Sequence, residues 1–91
     1  MTLDKPIAVV KYVDMPVEMQ QDAVDLCYQG MENFKEECRI AQYCKIEFER
    51  MHGNRWHCIV GKSFGSYTSH EEGGFIYFHL AGYYVILFKA G

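Results

Sequence analysis

The spacing of apolar residues along this chain changes twice. The opening segment, Ile7-Ala8-Val9-Val10-Lys11-Tyr12-Val13, is short and β-branched, which predicts a strand. Asp14 and then Pro16 follow, an acidic cap ahead of a proline that signals a helix start. From there the apolar positions Met19, Ala23, Leu26, Cys27, Gly30, Met31 and Phe34 recur in steps of three and four. That period places them on one face of a helix from about Pro16 to Phe34. Gly30 lowers helix propensity and marks a candidate close helix contact. A second helix is predicted from Glu37 to Met51, with Ile40, Ala41, Cys44 and Phe48 as its buried stripe. Glu36 and Glu37 stand at its N-terminus, where the helix dipole favours negative charge. Gly53-Asn54 stops it.

Beyond Asn54 the pattern is β. Strands are predicted at Trp56–Val60, Phe64–His70, Phe75–Leu80 and Tyr83–Phe88, with turns at Glu71-Glu72-Gly73-Gly74 and Ala81-Gly82. The order β-α-α-β-β-β-β defines an α+β fold, two helices packed on an antiparallel sheet, in a single domain spanning residues 1–91. The 64–70 segment is polar and contains glycine, while the strands on either side are apolar. It therefore fits a sheet edge, whose open N–H and C=O groups meet solvent or recruit another chain.

Composition sharpens this reading. Of 91 residues, 49% are hydrophobic and 15% aromatic, a surplus for so small a core, which points to a second burial site such as a subunit or ligand interface. The net charge of −3 and the absence of a Lys/Arg run argue against nucleic-acid binding. The apolar runs are too short to insert in a membrane, and residues 1–5 lack the apolar core of a targeting peptide, so a cytosolic location is expected.

Chemical motifs are few. Gly61-Lys62-Ser63 has Trp56 where a phosphate-binding loop needs its first glycine, and strands flank it. Cys27, Cys38, Cys44 and Cys58 are separated by 11, 6 and 14 positions, a spacing that matches no common zinc motif. They read as small core hydrophobes with no metal or other cofactor. Cys58 with His57, His70 or His79, and Ser66 outside any Gly-x-Ser-x-Gly frame, lack a catalytic constellation, so no enzyme activity is expected.

At Glu18-Met19-Gln20-Gln21-Asp22 and Trp56-His57-Cys58-Ile59-Val60-Gly61 the chain resembles the small dynein light chains of cytoplasmic and axonemal dynein. Asp14-Met15, Phe64-Gly65-Ser66-Tyr67, His70-Glu71, Phe75-Ile76-Tyr77-Phe78 and Leu87-Phe88-Lys89 extend the likeness from about Ala8 to Gly91. The resemblance implies a strand-exchanged homodimer. In it the strand matching Phe64, Gly65, Ser66, Tyr67, Thr68, Ser69 and His70 joins the partner subunit's sheet. Partner peptides, often bearing Thr-Gln-Thr, then add along its edge. Lys11, Tyr12, Phe75, Tyr77, His79 and Tyr84 complete that groove, and Glu37 and Cys38 stand at its helical wall, where amides at the helix N-terminus meet the peptide. His57, Phe64, Gly65, Ser66 and Tyr67 match the dimer interface. Burying a neutral imidazole disfavours its protonation, so acid should weaken the dimer. Backbone hydrogen bonds worth about 1 kcal/mol each, plus shallow pockets, imply roughly micromolar affinity. Two grooves per dimer raise the effective concentration for a second partner copy. The implied partners are a second copy, dynein intermediate chain and other proteins with short linear motifs, in the cytoplasm and on the cytoskeleton.

The chain departs from the family mainly around the groove. Cys38 replaces a common lysine, His79 a tyrosine, Tyr12 an asparagine and Tyr84 a small alanine. Glu72-Gly73-Gly74 replaces Thr-Lys-His, and Ala90 replaces a penultimate serine, which removes a phosphorylation site proposed for the family. These changes suggest a divergent paralogue with altered peptide preference, axonemal or cortical, or one kept for dimerisation alone.

Overall fold

A computed structural model describes residues 7–62 and 73–90 of the chain. Six elements follow in order: β1 (Val9–Asp14), α1 (Val17–Asn33), α2 (Glu37–His52), β2 (Trp56–Gly61), β3 (Phe75–Leu80) and β4 (Tyr83–Lys89). The strands form one antiparallel sheet in the order β1-β3-β4-β2, so the β3–β4 hairpin is central and β1 and β2 flank it. The predicted strand at 64–70 lies outside the described residues.

Both helices bury the stripes their period predicts. Ala23, Leu26, Cys27 and Gly30 of α1 meet Ile40, Cys44 and Phe48 of α2 in one core with Trp56, Ile76, Phe78, Leu80, Val85 and Leu87 from the sheet. Phe48 and Trp56 meet edge to face, with centroids 4.6 Å apart, at its centre. Gly30 is the predicted close approach. A Cβ built there lies 3.2 Å from a Tyr43 ring carbon and 3.5 Å from Ile40 Cγ2, so only a glycine lets the helices come this near without displacing Tyr43.

The start of α1 differs from the sequence reading. Helix geometry begins at Val17 with Pro16 as the N-cap, and no side chain caps it. The first turn closes through Gln20, whose backbone N–H donates to the Pro16 carbonyl and whose amide side chain donates to the Met15 carbonyl. The Asp14 carboxylate instead accepts the Gly73 N–H at 3.1 Å, tying the end of β1 to the approach to β3. A proline at the boundary has no N–H for an upstream acid to cap, which frees Asp14 for this other contact.

Gly53 ends α2 as expected, with φ of 84° and its N–H donating to the Glu49 carbonyl at 2.8 Å. The same residue's side chain reaches forward. Glu49 Oε2 accepts the Trp56 N–H at 3.0 Å, and Oε1 pairs with Lys45 Nζ at 3.0 Å. The Trp56 amide, then Lys45, hold the Glu49 carboxyl below its ordinary range. One residue thus joins the end of α2 to the first residue of β2.

Candidate functional site

Strand alternation divides the sheet into two chemically different faces. Trp56, Ile76, Phe78, Leu80, Val85 and Leu87 point toward the helices and are buried. The opposite face carries no helix among the described residues. There β1 contributes Tyr12, β3 contributes Phe75, Tyr77 and His79, β4 contributes Tyr84, Ile86 and Phe88, and β2 contributes His57 and Ile59.

Register brings these side chains into one continuous surface. Tyr12 faces Tyr77 across β1–β3, Phe75 faces Phe88 and His79 faces Tyr84 across β3–β4, and His57 faces Phe88 across β2–β4. Ring contacts follow. The centroids of Tyr12 and Phe75 lie 5.4 Å apart, of His79 and Tyr84 4.5 Å, of Tyr77 and Tyr84 6.1 Å, and of His57 and Phe88 5.3 Å. Only Ile86 is buried. The ring-bearing residues stay half-buried or exposed, Tyr12 at 57%. Isolated exposed apolar residues are ordinary on a protein surface, but a contiguous aromatic face is the mark of an interface.

The structure therefore brings together six residues singled out in the sequence: Tyr12, His57, Phe75, Tyr77, His79 and Tyr84. Lys11 falls where the β1–β3 register shifts between Val10 and Tyr12, so it is the extra residue of a bulge. Glu37 and Cys38 stand apart, exposed in the first turn of α2 on the helical layer. Glu36 makes no side-chain cap there, which leaves the first amides of α2 without an intrahelical acceptor. Phe64, Gly65, Ser66, Tyr67, Thr68, Ser69 and His70 lie outside the described residues.

A second arrangement escaped the sequence reading. Cys27 of α1, Cys44 of α2 and Cys58 of β2 converge, with their three sulfur atoms all within 4.8 Å of one another. Cys27 and Cys44 are fully buried and share a hydrogen bond at 2.7 Å, while Cys58 is half-buried. Hydrogen bonds from Cys27, then Cys58, favour the thiolate of Cys44 and pull it below the usual thiol range, against its burial. Burial, then the neighbouring sulfurs, push Cys27 up. At Cys58 the bond to Cys27 acts downward, but Cys44 and burial together raise it. Spacing along the chain could not reveal this group, because packing of three elements creates it. One signal was present: each of the three occupies an inward position, in the two helical stripes and in step with Trp56 on β2.

The chain is thus a two-layer α+β domain whose sheet keeps an aromatic face that no helix covers among the described residues. The comparisons with known proteins place it more narrowly. The family model described as "Dynein light chain type 1" matches residues 7–90. Two solved structures of the dynein light chain-like domain of the Fasciola hepatica calcium binding protein FhCaBP2 share the fold. The native crystal matches at a TM-score of 0.71 and 20% identity, covering 100% of both chains. A mercury derivative matches at 0.77 and 19% identity, covering 92% of each. The chain belongs to the dynein light chain family. That family is generally non-enzymatic, and its members typically dimerise and bind partner peptides. No helix among the described residues is long and apolar enough to cross a membrane.

Proposed function

We propose that this chain is a dimeric docking subunit that holds short extended segments of partner proteins and thereby pairs them. The observation that carries the reading is the open aromatic face of the sheet. Covering that face, by a second copy around His57 and by a docked peptide over Tyr12, Phe75, Tyr77 and Tyr84, removes a large apolar area from water, at roughly 25 cal/mol per Å². The segment 64–70, expected to join the partner's sheet, supplies the edge on which a peptide adds as a strand. The α2 N-terminus of one subunit, with Glu37 and Cys38, forms the far wall of the groove. That division accounts for their distance from the sheet residues within one chain. Dynein intermediate chain and other proteins with short linear motifs are the expected clients, on the cytoskeleton and in the cytoplasm.

Two measurements test it. Light scattering after gel filtration at neutral pH should give twice the 10.6 kDa of one chain, and a monomer would end the proposal. Calorimetric titration of that dimer with a Thr-Gln-Thr peptide should give one site per chain at roughly micromolar affinity. The contact between His79 and Tyr84 favours a second reading, because both residues depart from the family pattern and their rings fill the outer face together. An intact dimer that takes up no peptide would identify a light chain kept for dimerisation alone.

A further inference from the structure

The three sulfurs of Cys27, Cys44 and Cys58 form a group that neither dimerisation nor peptide docking uses. They come from three elements and lie on the helical side of the sheet, opposite the aromatic face. Their mutual separations, all within 4.8 Å, suit one ion. Metal–thiolate bonds of about 2.3 Å in a three-ligand shell set the sulfurs of a shared ion about 4.0 Å apart. Reaching that spacing requires the Cys27–Cys44 pair, at 2.7 Å, to part by about 1.3 Å through rotamer adjustment.

We propose that Cys27, Cys44 and Cys58 form an all-sulfur site for a single soft, thiophilic cation of the Cu(I) kind. The donor set decides the class. Thiolates select soft cations over oxygen-seeking ones such as Mg²⁺ or Ca²⁺. Structural zinc takes four ligands, and no fourth His, Cys, Asp or Glu joins this group among the described residues. The adjacent His57 points to the other face of β2, since neighbouring strand residues alternate. Three sulfurs in apolar surroundings therefore fit a cation content with three ligands. Cys58 is the least buried of the three residues. Each thiol that binds as thiolate releases its proton to solvent, and no electron is transferred.

The test uses the full chain, reduced and free of oxygen, with Cu(I) supplied as its coloured bicinchoninate complex. The protein should withdraw one copper per chain, and X-ray absorption of that copper should show a first shell of sulfur only, three in number. Cys44→Val keeps the apolar volume and should weaken uptake at least a hundredfold. Cys38→Ser, at the exposed cysteine, should leave it unchanged. If Cys44→Val fails to fold, judged by circular dichroism, Cys58→Ala at the half-buried position takes its place and should weaken uptake to the same degree. Uptake that survives loss of Cys44 or Cys58, uptake that depends on Cys38, or nitrogen or oxygen in the first shell would overturn the site. So would failure of the reduced protein to withdraw copper. Dimer mass and peptide affinity, measured on the same samples, read the docking function separately.

Discussion

Ala81 and Gly82 show how much a single position contributes to the central hairpin. Both have positive φ, 52° and 87°, as a two-residue turn of the I′ type needs between β3 and β4. Gly82 adopts this at no steric cost, whereas Ala81 is an L-residue with a Cβ in the left-handed region. Asparagine tolerates that region better, so Ala81→Asn should raise stability by up to about 1 kcal/mol. Urea unfolding followed by tryptophan fluorescence checks it. A lower midpoint would show that the turn is set by something other than local backbone preference. Gly30 behaves oppositely. A bulkier Gly30→Val side chain must push into Tyr43 and Ile40 and should cost about 1–3 kcal/mol by the same assay. The sequence exposed both glycines as punctuation, but Asp14 misled it. An acid beside a proline resembles a cap, and only the folded chain shows that its carboxylate serves Gly73.

Elements follow the periodicity closely because burial is one-sided. Each helix meets the core along one stripe, so steps of three and four predicted α1 and α2 to within one residue at all four ends. What periodicity cannot carry is contact between elements. The Glu49 link from α2 to β2 and the convergence of Cys27, Cys44 and Cys58 both depend on how α2 packs against β2. The Glu49 contact has a pH signature. Its carboxyl is held below the ordinary range in the folded chain, so its stabilising effect is complete above the unfolded-state pKa and is lost as pH falls through the folded one. Glu49→Gln keeps an acceptor for the Trp56 amide and removes only the charge. The variant should unfold at lower urea than the parent at about pH 7, and the gap should narrow as the pH falls below the ordinary carboxylate range. A gap of equal size throughout would mean the charge plays no part.

At the scale of the whole molecule, the unequal faces of the sheet matter most. The aromatic surplus was visible in composition, and the resemblance assigned it to a groove. That Tyr12, His57, Phe75, Tyr77, His79 and Tyr84 share one face required the strand register. Tyr84→Ala restores the small residue common in the family and opens the space beside His79. It should strengthen binding of a Thr-Gln-Thr peptide severalfold, read by calorimetry, and weaker binding would mean that Tyr84 itself contacts the peptide.

The four thiols differ sharply in their access to solvent, and that has a practical outcome. Cys38 stands in the open at the first turn of α2, while Cys27 and Cys44 are sealed in the core. A maleimide dye supplied in limiting amount therefore tags Cys38 before any other sulfur. The native chain thus carries its own attachment point for a fluorophore, on the helix start that an incoming peptide is expected to meet.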